Sequence, residues 1–311
     1  MHKKEKTFTP VMLTPFKDNG SIDYHGLTEL TEFYLQAGAG GLFANCQSSE
    51  MFELTDEERI GITSHVVKVA NRRVPVVAVG TFGGQVTKQA DFAKRLYNTG
   101  IDSVIIVTSM LAGELESDEV FDVRCHDLLQ QTGNIPFGFY ECPAPYKRLL
   151  SPAQLKTFVD TGRISYHKDT CLDINTVKEK LKVTEQAAGF GLYDAYIVHA
   201  IESLKAGSAG LSCIQGNFFP ELVTFICKNY DEPSKREELN IIHNFLITNM
   251  DVMHGVYPNI AKYFLQQRGL KIDTYCRTFS GVFDAGVKQK VDKLYRDYQQ
   301  IHEVVEADLT T

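Results

Sequence analysis

The amino-acid sequence predicts a (β/α)8 TIM barrel followed by an appendage of three C-terminal helices. Short runs of β-branched and aromatic residues alternate with longer stretches of helical period over about the first 230 of its 311 residues. Gly, Asp, Asn and Thr mark the junctions between these runs. Eight strand–helix pairs in a segment of this size match the repeat number of a barrel that folds as a single unit.

The predicted elements follow one another in strict alternation. The strands are residues 11–16, 41–46, 74–81, 103–110, 136–143, 163–169, 190–194 and 210–214. The helices are residues 24–38, 55–71, 86–98, 117–131, 151–160, 172–185, 195–206 and 218–230. Thr55 is followed by three acids, and Ser151 is followed by Pro152, so both positions are typical of a helix N-cap.

A doubly wound open sheet is the alternative architecture for alternating strands and helices. It is typically marked by a Gly-rich phosphate-binding turn after the first strand. Here the first predicted strand leads into TPFKDNGSID (14–23), which lacks that pattern. The sequence therefore favours the barrel.

After Pro233 the pattern changes to helices alone. They are predicted at 234–253, 256–268 and 280–304, and their aromatic residues are interpreted as packing residues. We expect a barrel domain at 1–230 and a helical appendage at 231–311.

Composition excludes several classes of protein. The chain is 43% hydrophobic and 23% charged, with a formal net charge of −7, which does not favour a nucleic-acid partner. The seven cysteines are scattered without a CxxC pair, as in a reduced protein of the cytoplasm. The basic N-terminal stretch leads into no apolar signal region, and no apolar run approaches the roughly 20 residues of a membrane span. We expect a cytoplasmic protein that does not enter membranes.

Lys168 and Tyr140 are the first candidates for chemistry. Both fall near the ends of neighbouring predicted strands, and the chemistry of a barrel enzyme lies at the C-terminal ends of its strands. A lysine desolvated by barrel walls has a lowered pKa and can attack a carbonyl, while a tyrosine can transfer protons. The structural alternative is that Lys168 pairs with Asp169 or Glu141 and that Tyr140 packs in the core.

Other polar groups fall at the same end of the barrel. They are Thr14, Gln47, Ser48, Ser49, Glu50 and Ser212. Glu50 is expected to brace its loop. His167 neighbours Lys168, so it should point to the opposite face of the strand and be packed there. The nine histidines form no HExxH or HxH pair, and no nucleotide-binding motif is present, so we expect neither a metal nor a cofactor.

Five sequence segments together resemble the dihydrodipicolinate synthase / N-acetylneuraminate lyase family. They are TPVMLTPFKDNGSID (9–23), SSEMFELTDEER (48–59), YECP (140–143), HKD (167–169) and GSAGLSCIQGNFFP (207–220). The resemblance covers the barrel, about residues 7–230, and extends to the helical tail. It implies class I aldolase chemistry on pyruvate or a related 2-oxo acid, without a metal, in a homo-oligomer that is usually a tetramer built from dimers.

The resemblance also implies roles for individual residues. Lys168 matches the Schiff-base lysine, Tyr140 the proton-relaying tyrosine, and Ser48 a hydroxyl residue that holds the substrate carboxylate. Gln47 and Ser49 flank Ser48 in the same loop, and we count them, together with Ser212, among the expected substrate-binding residues.

The chain departs from the family pattern at several of these positions. Gln47 stands where the relay hydroxyl is expected, and Ser49 replaces a glycine. No tyrosine follows the fourth strand, where the family often donates one across a subunit contact. The second-substrate arginine of the synthase branch is replaced by Pro145, although Lys147 or Arg148 could serve if that loop folds inward.

Two hypotheses of function follow. The first is a lyase, aldolase or dehydratase that forms a Schiff base with pyruvate or with a hydroxylated 2-oxo acid, a class that includes acids derived from sugars. Dihydrodipicolinate synthase and N-acetylneuraminate lyase are alternatives within that class. The second is a barrel that binds keto acids without efficient turnover and acts as a binding or regulatory protein.

Overall fold

The computed structural model describes residues 5–309, and eight parallel strands form its central sheet. The strands are β1 (Thr7–Phe8), β2 (Leu42–Asn45), β3 (Val76–Val79), β4 (Ser103–Val107), β5 (Phe137–Tyr140), β6 (Ile164–Asp169), β7 (Gly191–Asp194) and β8 (Gly210–Leu211). From β2 to β8 each strand pairs with its neighbours in sequence, and β1 pairs with β8. A parallel bridge between Val11 and Phe43 joins the segment after β1 to β2. The predicted barrel is therefore confirmed.

The first predicted strand was wrong. The strand lies at Thr7–Phe8, and within residues 11–16 only isolated bridges at Val11 and Phe16 are formed. The apolar run from Val11 to Leu13 is fully buried, which is the property that the sequence pattern detected. Burial does not require a ladder, however, and Pro10 and Pro15 supply no N–H groups to one.

Eight helices surround the sheet, one after each strand. They are α1 (Tyr24–Gln36), α2 (Asp56–Ala70), α3 (Val86–Tyr97), α4 (Asp118–Gln131), α5 (Pro152–Val159), α6 (Ile174–Thr184), α7 (Ala200–Ala206) and α8 (Pro220–Asn229). The two predicted caps are observed: Thr55 accepts from Glu58 N, and Ser151 accepts from Gln154 N. Several predicted strands end earlier than expected, because their last residues form the loops at the barrel mouth.

The C-terminal part is helical, as predicted. Its helices are α9 (Arg236–Thr248), α10 (Met250–His254), α11 (Asn259–Gln267) and α12 (Ala285–Leu309). The first predicted helix is divided at Asn249, whose side-chain Nδ2 donates to Phe245 O at 2.9 Å and so competes with continued helix. Within residues 5–309, no helix is both long and apolar enough to cross a membrane.

The apolar core has two parts. One lies inside the barrel and includes Phe43, Ile105, Tyr140 and Tyr166, and the other fills the space between the strands and the surrounding helices. The inner cluster forms the floor and walls beneath the C-terminal ends of the strands.

Candidate active site

Lys168 and Tyr140 lie side by side inside the mouth of the barrel. They are register partners at the ends of β6 and β5, and only 4% and 3% of their surfaces are exposed. The Nζ atom of Lys168 is 4.3 Å from the centre of the Tyr140 ring. The predicted convergence of the two side chains is thus observed, and a group bound to the amine would also lie against the tyrosine.

The carboxylates beside these residues in sequence belong to a different lysine. Lys180 Nζ on α6 lies 2.6 Å from Glu141 Oε1 and 2.7 Å from Asp169 Oδ2, and all three side chains are fully buried. The Lys168 side chain forms no hydrogen bond or ion pair with any residue in the described part of the chain. The alternative reading, in which Lys168 pairs with Asp169 or Glu141, is therefore wrong.

The surroundings of Lys168 favour the neutral form of its amine. Burial lowers the pKa of Lys168 below its usual 10.5, and the nearby thiols of Cys46, Cys142 and Cys213 oppose this only in part. A larger fraction of the amine is therefore unprotonated near neutral pH than for a surface lysine, and the unprotonated amine is the nucleophile.

His167 is packed on the opposite face of β6, as predicted. Its Nε2 atom lies 3.6 Å from Glu141 Oε1 and 3.5 Å from Asp169 Oδ2, outside the barrel interior. These three residues have the composition of a metal site. The ammonium group of Lys180 already lies between the two carboxylates, where a cation would otherwise bind.

The loop after β2 is tied to the floor of the mouth by Ser49. Residues Gln47–Ser49 form a single 3-10 turn. The Ser49 hydroxyl donates to Met12 O at 2.6 Å and accepts from Cys46 N at 3.1 Å, while Thr14 Oγ1 donates to Ser49 O at 2.8 Å. The Ser49 side chain is thus engaged in holding the loop.

Glu50 braces the same loop from its outer side. Its Oε1 atom accepts from Lys262 Nζ at 2.9 Å, and its Oε2 atom accepts from the backbone N–H groups of Arg277 and Thr278 at 2.6 and 2.8 Å. These contacts confirm the prediction for Glu50 and fasten the loop to the C-terminal part of the chain.

Ser48 and Ser212 differ in how their hydroxyl protons are used. Ser212 donates to Thr9 O at 2.9 Å, so its proton is engaged within the barrel wall. Ser48 instead accepts a hydrogen bond from Tyr257 Oη at 2.7 Å. Among the described residues, the Ser48 hydroxyl has no acceptor for its own proton, which leaves it available to a ligand.

Tyr257 was missed by sequence reasoning. It lies in the connection between α10 and α11, which the apolar period placed inside a single helix from 256 to 268. The tail aromatics were interpreted as packing residues, and no local signal distinguishes this one. The Pro that follows it disfavours helical geometry at Tyr257 and was the available clue.

Gln47 contacts Tyr140 directly. Its Oε1 atom accepts from Tyr140 Oη at 3.3 Å and from Cys142 Sγ at 3.6 Å, and its own side chain is exposed. Burial raises the pKa of the Tyr140 phenol well above its usual value, so this tyrosine holds its proton. Because an amide oxygen only accepts, Gln47 cannot pass that proton onward as a hydroxyl would.

The basic residues after β5 are bonded to other parts of the chain. Lys147 Nζ donates to Thr170 O at 2.8 Å, and Arg148 pairs with Asp118 at 2.6 Å. Arg148 is also held by Gly113 O and Glu116 O, so both basic side chains are already bonded within the chain. The segment Thr108–Met110 after β4 forms a 3-10 turn without a tyrosine.

The chain matches a large family over nearly all of its length. The profile of the Dihydrodipicolinate synthetase family matches residues 4–297. The putative 2-dehydro-3-deoxy-D-gluconate aldolase YagE of Escherichia coli K12 is 25% identical over 269 residues, which cover 86% of this chain and 88% of the relative. The 4-hydroxy-tetrahydrodipicolinate synthase of Bacillus subtilis 168 is 24% identical over 263 residues, or 84% and 88% of the two chains.

The structural comparison gives the same fold. The crystal structure of E. coli K12 YagE in complex with pyruvate superposes with a TM-score of 0.84 at 21% identity, covering 96% of this chain and 98% of the other. The likeness therefore extends over the barrel and the C-terminal helices.

Proposed function

The chain belongs to the dihydrodipicolinate synthetase family, and from this premise we propose that it is a Schiff-base lyase that cleaves or dehydrates a hydroxylated 2-oxo acid. Members of the family are class I lyases and aldolases, so the reaction class follows from membership. The observation that carries the assignment to this site is the buried Lys168 amine, which lacks a carboxylate partner among the described residues and lies 4.3 Å from the Tyr140 ring.

The proposed chemistry begins at the amine. Neutral Lys168 attacks the C2 carbonyl of the 2-oxo acid, and loss of water from the carbinolamine gives a protonated Schiff base. Tyr140 transfers the protons that this step needs, since its phenol lies against the same amine. The Schiff base then accepts electrons from the C3–C4 bond.

Cleavage follows if C4 carries a hydroxyl group. Removal of the hydroxyl proton and rupture of the C3–C4 bond release an aldehyde and leave the enamine of pyruvate on Lys168. Protonation at C3 and hydrolysis return pyruvate and the free amine. The Ser48 hydroxyl donates to the substrate carboxylate and so fixes the keto carbon beside Lys168.

The substrate is proposed to differ from that of the synthase branch. Lys147 and Arg148, which could have replaced the arginine of that branch, are bonded elsewhere. The name of the E. coli relative, a putative sugar-acid aldolase, supports a hydroxylated, sugar-derived 2-oxo acid.

A keto-acid-binding protein without efficient turnover is the second candidate. One observation favours it: Tyr140 donates its hydrogen bond to the Gln47 amide, where a hydroxyl group could have relayed the proton. Such a protein would bind 2-oxo acids saturably, with or without a Schiff base, yet release no product from any of them.

Borohydride trapping tests the proposal. The protein is incubated with pyruvate and then with a panel of hydroxylated 2-oxo acids, reduced, and analysed by intact mass and peptide mapping. We expect one adduct per chain on Lys168, absent from Lys168→Ala and retained in Lys178→Ala, whose lysine pairs with Glu202 on the surface. Adduct formation without release of an aldehyde, or of water, from any panel member would favour the binding protein. No adduct at all would overturn the Schiff-base lyase, and saturable binding of a 2-oxo acid without an adduct would then support the binding protein.

A further inference from the structure

Tyr257 brings a second tyrosine hydroxyl to the candidate site. Its Oη atom lies 2.7 Å from Ser48 Oγ and 2.5 Å from Asn217 Nδ2. The residue comes from the connection between α10 and α11, outside the predicted barrel domain. The C-terminal part of the chain therefore reaches the residue that is expected to hold the substrate carboxylate.

The orientation of Asn217 sets the direction of these hydrogen bonds. Tyr34 Oη donates to Asn217 Oδ1 at 2.6 Å, and Asn217 Nδ2 donates to Val11 O at 2.9 Å. The two contacts agree on which end of the amide is oxygen and which is nitrogen. Because the amide nitrogen only donates, Tyr257 must accept from it.

Tyr257 therefore has its single proton available for Ser48. Ser48 accepts this hydrogen bond, so its own O–H group points elsewhere. No acceptor for the Ser48 O–H group lies among the described residues. Donors that are aligned in one direction polarise one another, which makes the last hydroxyl of the chain a stronger donor. An anionic oxygen is the acceptor that gains most from such a donor.

We propose that Tyr257 is a positioning residue that directs the Ser48 proton toward the carboxylate of the bound 2-oxo acid. The chain of donors runs from Asn217 through Tyr257 to Ser48. This inference rests on the proposed function, since it assigns the selectivity of the same site for an acid over a neutral ketone.

The assignment also bears on the missing tyrosine. The loop after β4 offers none at Thr108–Met110, the position at which a partner subunit would contribute one. Tyr257 supplies a tyrosine hydroxyl to the mouth from within the same chain.

The test compares pyruvate with its neutral methyl ester in the trapping assay. The concentration that gives half-maximal adduct is measured for the wild type, Tyr257→Phe, Ser48→Ala and the double variant. Tyr257→Phe removes one oxygen and keeps the ring. We expect Ser48→Ala to raise the half-saturating concentration of pyruvate about ten-fold, the size of one hydrogen bond to a charged group. Tyr257→Phe should raise it by a part of that factor, about three-fold, and both variants should leave that of the ester unchanged.

The matched control is Tyr263→Phe, which removes a hydroxyl that bonds Asp292 in the same C-terminal part. It should leave the preference for acid over ester unaltered. The double variant should be no worse than Ser48→Ala, because both substitutions interrupt one chain.

The outcomes separate this inference from the proposed function. If the wild type forms no adduct with pyruvate, the proposed function fails. If the wild type forms the adduct but Tyr257→Phe keeps the full preference for the acid, or if the two substitutions are additive, the inference is overturned. If Tyr257→Phe does not fold, Tyr257→Met takes its place, and an unchanged preference for the acid in Tyr257→Met or in Ser48→Ala overturns the inference as well.

Discussion

Lys180 binds both carboxylates that lie beside the site in sequence, so that Lys168 has no carboxylate partner among the described residues. Lys180 reaches Glu141 and Asp169 from α6, on the outer face of the barrel wall. Asp169 and Lys168 both lie on β6, and Lys168 projects from the inner face of that strand, toward Tyr140. Two lysines separated by one strand thus have opposite electrostatic surroundings, and only the inner one is suited to act as a neutral amine.

Replacing Lys180 should destabilise the protein strongly. Lys180→Met leaves two buried carboxylates without their cation, and breaking a buried ion pair in this way costs about 3 kcal/mol or more. Urea unfolding would show this as a lowered midpoint. Lys178→Met, on the same helix as Lys180, is the control, since it removes an exposed pair with Glu202 of α7 and should change the free energy of unfolding by less than about 1 kcal/mol. Equal effects of the two variants would contradict the structural role of Lys180.

Schiff-base formation should become faster with rising pH until Lys168 is fully deprotonated. Burial lowers the pKa of Lys168 below 10.5, so the neutral, nucleophilic fraction increases through that lowered pKa and then stays constant. The measurement is the single-turnover rate of adduct formation with pyruvate between pH 6 and pH 10. A rate that keeps rising up to the pKa of an ordinary lysine would show that burial does not act as described.

The alternation of strands and helices was enough to predict the barrel and the residues at its strand ends. Contacts made by packing between distant parts of the chain were missed. Lys168 and Tyr140 end neighbouring strands, so their proximity follows from the barrel itself. Lys180 lies in the stretch KEKLK, which has the composition of a solvated helix surface, yet its side chain is fully buried. Tyr257 reaches Ser48 across 209 positions of sequence, and no local pattern encodes such a contact.

Removing the Tyr140 hydroxyl should slow proton transfer more than Schiff-base formation. The readout is the exchange of the pyruvate methyl protons in D2O, followed by NMR, which reports the enamine without any aldehyde partner. We expect Tyr140→Phe to reduce the exchange rate about 100-fold, the usual contribution of a positioned acid or base. Borohydride trapping on Lys168 should persist. Tyr97→Phe on α3 is the control, and equal losses in the two variants would exclude a specific role for Tyr140.

A hydroxyl at position 47 should accelerate the same exchange. Gln47 Oε1 accepts a hydrogen bond from Tyr140 but cannot relay the proton, whereas a threonine hydroxyl can both accept and donate a hydrogen bond. We expect Gln47→Thr to raise the exchange rate several-fold above that of the wild type, and Gln47→Ala to give no such gain. If alanine and threonine have the same effect, relief of steric crowding explains the change and the relay interpretation is wrong.

The link between Arg277 and Glu58 should make stability depend on pH in the acid range. The hydrogen bonds that Arg277 donates lower the pKa of Glu58 from 4.5 to about 2. A depressed carboxyl pKa contributes stability that is complete above the unfolded value and is lost as the pH falls toward the folded value. The free energies of unfolding of the wild type and of Arg277→Gln should therefore differ by about 1 kcal/mol at neutral pH, after allowance for solvent screening, and should converge between pH 4.5 and pH 2.

The control is Arg95→Gln. It removes the exposed pair of Arg95 with Glu57, the neighbour of Glu58 on α2, and should show no such convergence. A difference between the wild type and Arg277→Gln that stays constant down to pH 2 would mean that Arg277 stabilises the protein through its bonds to Gly20 O and Glu53 O and not through Glu58.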